Sequence, residues 1–125
     1  MKIKIIVEKT KTGYSACAEK HSVYTVGTTL DELKANIIEA LNLFFQEQGK
    51  TIAETDLKIT LDLPQFFEFY NVINAKELSE RIGMNQSLLA QYIKGIKKPS
   101  ANQTQRILEG VQQIGRELAE IRFLL

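Results

Sequence analysis

The polar residues best placed to do chemistry fall in one stretch, Asn74 to Pro99, NAKELSERIGMNQSLLAQYIKGIKKP. Within it Asn85, Gln86, Ser87 and Gln91 bring amides and a hydroxyl close together, and Lys94, Lys97 and Lys98 trail behind them. A Gln or Asn amide can pair bidentately with adenine in a major groove, where a Ser hydroxyl donates or accepts. Lysines behind such a group suit phosphates, whose contacts set register and supply most of the salt-dependent affinity. The pattern predicts sequence-specific binding of double-stranded DNA, with the amides and serine at base edges and the lysines on the backbone.

Two short helices joined at Gly83 would hold these residues. Asn74 is a cap for the first, with Glu77 three residues on, and Leu78 and Ile82 share one face. Gly83 follows the last apolar residue, where a left-handed residue reverses the chain without a Cβ clash. Asn85 caps the second helix, Leu89 and Ile93 point inward, Gly95 ends it and Pro99 bars any continuation. Leu78, Ile82, Leu89 and Ile93 are the expected core of the pair. Leu88 sits near the outer face, to meet a thymine methyl, the preceding helix, or nothing. The plain alternative is an ordinary helical hairpin with unremarkable surface amides, and a further one is a protein-interaction module with a decayed DNA motif, which a gel shift at low salt would expose.

The stretch resembles the lambda-repressor-like (XRE) helix-turn-helix family, through Glu77, Leu78, Gly83, Leu89, Gly95 and the basic tail. The resemblance implies that Gln86, Ser87 and Gln91 face the bases, with Asn85 beside them. Ser79 stands where the family usually has Ala, and Ala75 where many members have a phosphate-holding Gln.

Composition sets wide bounds. At 125 residues, 44% apolar and 25% charged, the chain fits one ordinary domain or two small ones. No apolar run is long enough to span a bilayer, and MKIKIIVEK regains charge too soon for a signal peptide, so a cytoplasmic protein is expected. Net charge is only +1, unevenly spread: −1 over residues 1–63 and +2 over 64–125. One copy would grip few phosphates, so useful affinity calls for two or more copies on one site.

The N-terminal half reads as a sheet under a helix. Residues 2–8 alternate Ile3, Ile5 and Val7 against Lys2, Lys4, Ile6 and Glu8. Tyr14 to Glu19 and about Ser22 to Val26 follow as a second and third strand. Thr29 and Glu32 form a capping-box pattern before Leu30, Leu33, Ile37, Leu41 and Phe44, an amphipathic helix of about five turns ended by Gly49. After a polar loop, Leu57, Ile59, Leu61 and Leu63 alternate as a last strand facing inward. The expected class is α+β, a β-β-β-α-β layer over residues 1–63, then an all-α helix-turn-helix domain over 64–125. Gln65 to Val72, opened by Pro64, is its expected first helix, with Phe66, Phe67, Phe69, Tyr70 and Ile73 as an aromatic core.

This half resembles the HicB antitoxin family, through Gly13-Tyr14-Ser15-Ala16 and through Val26 to Leu33 leading into Asn36-Ile37. The resemblance implies a partial RNase H-like fold without nuclease activity, which neutralises a small HicA-type RNA-cleaving toxin while the C-terminal part binds the operon's own promoter. The family often has a Pro-Asp-Leu-Pro-Gly loop between its second and third strands; here the shorter Glu19-Lys20-His21-Ser22 stands. A stand-alone regulator of the same build, without a toxin, is the alternative.

Ser100 and Gln103 open the final helix, and Ile107, Val111, Ile114, Leu118, Ile121 and Leu125 recur at steps of four and three, the seam of paired helices. A homodimer or higher oligomer through this helix is expected, with the competing reading that Ile107 and Val111 pack on the helix-turn-helix core and only the distal half is free. Gly110 and Gly115 each cost about 1 kcal/mol of helix propensity, which the close approach of a neighbouring helix would explain.

Catalysis has little to stand on. Glu8 and Asp62 are the nearest candidates for a metal-dependent nuclease and read more simply as strand-edge charges. His21 reads as a solvated loop residue and Cys17 as a small buried hydrophobe. No catalytic residue, cofactor or metal site is expected.

Overall fold

Alternation at period two puts Ile3, Ile5 and Val7 on one face of the first strand, and that face becomes the core of a four-stranded sheet. The computed structural model describes residues 2–124, and of Phe123 only the backbone; Leu125 of the expected seam lies outside them. Strands β1 (Ile3–Thr10), β2 (Gly13–Ala18), β3 (Tyr24–Gly27) and β4 (Leu57–Leu61) take the order β3-β2-β1-β4. The first three pair antiparallel; β4 returns parallel to β1, Ile5 beside Ile59 and Val7 beside Leu61. The chain is α+β, a mixed sheet followed by helices of which the last is long.

Helix α1 (Leu30–Phe44) buries Leu33, Ile37 and Leu41 against the sheet. It lies over β2 and β3, where Gly27 is needed because a Cβ there would stand 2.6 Å from the Leu33 nitrogen. Thr29 accepts the Glu32 N–H at 3.1 Å as expected, but the Glu32 carboxylate takes the Thr28 hydroxyl instead of closing the box. The helix ends earlier than its apolar pattern suggested. Phe45 is its cap, a short 3-10 turn runs over Gln46–Gln48, and Gly49 is left-handed. That change of pitch turns Phe45 inward and leaves Phe44 41% exposed. The loop beyond is tied down by Asn42, whose side chain bonds both the N–H and C=O of buried Ile52.

Two expectations for β4 are corrected. Ile59 is 39% exposed, because β4 is an edge strand and α1 covers the other half of the sheet. An open gap of about 450 Å³ lies between α1 and β4, floored by Val7, Leu57 and Ile59. Leu63 is buried, but as the first residue of α2 (Leu63–Phe69) and not as a strand residue.

Helix α2 belongs with the sheet. The chain divides into two compact units between Phe69 and Tyr70, later than the expected boundary after residue 63. One tie that joins α2 to the sheet is Gln65, whose side chain accepts the Lys9 N–H at 2.9 Å and donates to the Lys9 carbonyl at 2.7 Å. It thus occupies the place of a neighbouring strand beside β1. Phe66 and Phe67 pack edge to face, and Phe69 lies near the Lys9 ammonium, all within this first unit.

The second unit holds α3 (Ala75–Ile82), α4 (Gln86–Ile93) and α5 (Ala101–Glu120), with a 3-10 turn over Ile121–Leu124. Its core is Leu78, Ser79, Met84, Leu89, Tyr92 and Ile107; Ile82 and Ile93 are only half-buried. Gly110 lies where α5 meets α3: a Cβ would collide with Ile82 and stand 3.1 Å from Leu78. At Gly115 nothing lies within 4 Å among the described residues, so no contact among them explains it. Gly110→Ala is therefore expected to destabilise by about 1–3 kcal/mol through overpacking, and Gly115→Ala to stabilise by about 1 kcal/mol through propensity. Urea unfolding of the two variants checks the opposite signs.

Candidate nucleic-acid interface

The turn between α3 and α4 is built from backbone bonds that only a left-handed residue permits. Gly83 has φ 67° and ψ 35°; its N–H bonds the Glu80 carbonyl at 3.4 Å, and the Met84 N–H bonds that of Ser79 at 2.9 Å. This pair of bonds satisfies the carbonyls at the end of α3 and tucks Met84 into the core. Ser79 is 2% exposed and its hydroxyl donates to the Lys76 carbonyl at 2.6 Å, so the polar group is satisfied where the helices cross.

A second lock comes from α5. Arg106 donates to the Ile82 carbonyl at 2.8 Å and the Gly83 carbonyl at 3.3 Å, and also to the Gln103 side chain. A cation on the last carbonyls of α3 also complements the helix dipole. No helical periodicity marked Arg106; the residue reaches the turn only because α5 folds back over α3. Farther along, Arg81 and Glu117 join α3 to α5 through two hydrogen bonds of 2.9 and 3.3 Å.

On this frame α4 presents its outer face. Asn85 caps it, its side-chain oxygen accepting the Leu88 N–H at 3.1 Å, so that this oxygen serves the helix N-terminus. Gln86 and Ser87 are exposed in the first turn, and Gln91 is half-buried one turn beyond Ser87. Leu89 and Tyr92 are buried on the opposite side, and Leu88 is half-buried between the two. Ser87, Gln91 and Lys94 fall at i, i+4 and i+7, one ridge along the helix. At its end Lys94 is the cap, Gly95 is left-handed at φ 77°, and the Ile96 N–H returns to the Gln91 carbonyl at 2.9 Å. Lys94, Lys97 and Lys98 are exposed and, among the described residues, take part in no ion pair. Residues 70–125 carry eight Lys and Arg against five Glu, so this unit is the basic one.

The residues set aside for catalysis have other surroundings. Asp62 accepts the Gln65 N–H at 3.1 Å and so caps α2, while Glu8 is exposed. His21 is not a solvated loop residue: its ring packs on Phe44 and Phe45, with centroids 5.5 and 5.0 Å away. Cys17 is not buried either; it lies exposed on the sheet face opposite α1, beside Ile6 and Tyr24. Among the described residues no group of three or more His, Cys, Asp and Glu is placed to hold a metal ion.

No protein family, curated protein or solved structure matches this chain.

The Arg81–Glu117 tie should make the second unit sensitive to acid. The hydrogen bonds from Arg81, and then from Gln113, hold the Glu117 carboxyl below its ordinary 4.5. A carboxyl held low in the folded state adds stability above its unfolded value and loses it as pH falls through the folded one. Thermal unfolding should find Glu117→Gln less stable than the parent at pH 7, with the difference closing as pH is taken below 4.5. Arg106→Ala is expected to lower stability by about 1 kcal/mol, because it uncovers the carbonyls of the turn to water.

Proposed function

We propose that this chain is a cytoplasmic, self-associating antitoxin. Its helix-turn-helix unit represses its own operon by binding double-stranded DNA, and its α+β unit neutralises a HicA-like RNA-cleaving toxin. The observation that carries the DNA half is the division of α4. Leu89 and Tyr92 are buried on the inner side of α4, which packs on α3, while Gln86 and Ser87 stand exposed in its first turn with three exposed lysines behind. A helix held this way enters a major groove by its N-terminal end. The toxin half rests on the likeness of residues 13–16 and 26–37 to HicB antitoxins. The strand–strand–strand–helix–strand order supports that likeness. No helix among the described residues is long and apolar enough to cross a membrane.

In this reading two copies place their α4 helices about one helical turn apart, roughly 34 Å, on an inverted repeat. Gln86 and Gln91 read bases, Ser87 and the Asn85 amide nitrogen assist, and Lys94, Lys97 and Lys98 meet phosphates. A bidentate amide–adenine pair discriminates by about 1–3 kcal/mol, so Gln86→Ala or Gln91→Ala should reduce the preference for operator over random DNA by roughly tenfold. Lys97→Ala or Lys98→Ala should weaken both DNAs alike and lower the salt slope by about one. Fluorescence anisotropy against an operator selected from random sequence, at several salt concentrations, measures both. Equal losses on the two DNAs from all four variants would remove the base readers. Co-purification of the tagged chain from its native host, with or without a small RNA-cleaving partner, separates the antitoxin from the stand-alone regulator.

A further inference from the structure

The far half of α5, with the 3-10 turn that follows it, carries an apolar seam left open among the described residues. Ile107 is fully buried, Val111 and Ile114 are half-buried, and Leu118 and Ile121 are 61% and 50% exposed. These residues recur at steps of four and three, the spacing of two helices wound together. Leu124, 83% exposed, widens the surface on one flank. The grading arises because α3 covers the near half only: Leu78 and Ile82 meet α5 at Gly110, and Arg81 reaches Glu117 farther along.

We infer that this far half pairs with the same helix of a second copy, and that the two helices run parallel. The polarity follows from the charges beside the seam. With Leu118 and Ile121 on the seam, Glu117 falls on one flank and Arg122 on the other. In a parallel pair each flank faces the opposite flank of the partner, five residues on, so Glu117 meets the partner's Arg122. Two-fold symmetry makes the contact twice. An antiparallel pair centred on Leu118 would set Glu117 against the partner's Glu117 instead. Arg81 already holds one side of Glu117, and a carboxylate has lone pairs to accept a second cation. The pairing deepens the DNA-binding reading and rests on it only for its use: parallel helices carry both α4 helices at the same end of the pair, where one stretch of duplex can meet both.

Sedimentation equilibrium of the full chain should give a dimer. Leu118→Glu should return it to monomer with its far-ultraviolet circular dichroism unchanged. Arg122→Glu should raise the dimer dissociation constant roughly tenfold at low salt, with a smaller effect at high salt. Polarity is read by Ile121→Cys in a chain whose one native thiol is removed by Cys17→Ser. Mild oxidation should yield a covalent dimer, and because the disulfide traps even a weakened pair, the lost isoleucine cannot mask the result. A parent chain that stays monomeric at its highest soluble concentration overturns the pairing. A dimer whose Ile121→Cys form gives no covalent product overturns the parallel arrangement. DNA binding is scored separately by gel shift, so a covalent parallel dimer that binds no DNA sustains the pairing and removes only the operator reading.

Discussion

The left-handed backbone at Gly83 is the constraint on which the second unit depends. It lets α3 stop and α4 start within a few residues, and it directs the Met84 side chain into the core instead of into water. A residue with a Cβ at that φ is strained whatever space surrounds it, even though nothing among the described residues lies within 4 Å of the position. The reversal alone would be a loose hinge. Arg106 fastens its carbonyls, Gly110 lets α5 approach α3 closely, and Ile107 on α5 is fully buried, as are Leu78 and Leu89. Burying a side chain of the size of Ile107 contributes about 1.5–3 kcal/mol, more than any one surface ion pair in this unit. The brace is chiefly apolar, and the charged contacts aim it.

A rigid frame matters because the face it presents is made of soft chemistry. Amides and a hydroxyl discriminate only when their positions are fixed, since a mobile Gln pairs with many edges equally well. Asn85 illustrates the competition for donors and acceptors: its oxygen accepts from the helix N-terminus, so in the proposed complex its amide nitrogen is the group that assists Gln86 and Gln91. The lysines need no such placement. In the proposed complex they act through charge on a backbone that carries the same charge everywhere, and in the chain they lie at and beyond the end of α4, where it is already turning away.

The sheet unit follows a different logic. One helix of fifteen residues cannot cover four strands, so α1 covers β2 and β3 and leaves β4 partly bare. Its far edge is finished by local devices: Gln65 imitating a strand beside Lys9, Asp62 capping α2, and Asn42 tying down the loop at Ile52. Each satisfies backbone groups at an edge that would otherwise be left to water.

Periodicity and capping chemistry were legible from residue order alone, because both act within a few residues. The alternation of Ile3, Ile5 and Val7, and the caps at Thr29, Asn74, Asn85 and Ser100, stand in the structure where their spacing places them. So do the reversal at Gly83 and the outward setting of Gln86 and Ser87, which follow from Leu89 being inward on the same helix. What residue order did not decide were the pairings between distant segments. Gln65 is an ordinary helical glutamine until β1 lies beside it, and α2, with its buried Leu63 and Phe67, is part of the first unit. Ile59 and Cys17 obey the strand pattern, yet their exposure depends on which half of the sheet α1 covers. His21 gains its aromatic neighbours from a helix more than twenty residues away in sequence. Gly110 and Gly115 look alike in the sequence; only the approach of α3 to one of them tells them apart, because steric need is a property of neighbours brought together by folding and not of the residue itself.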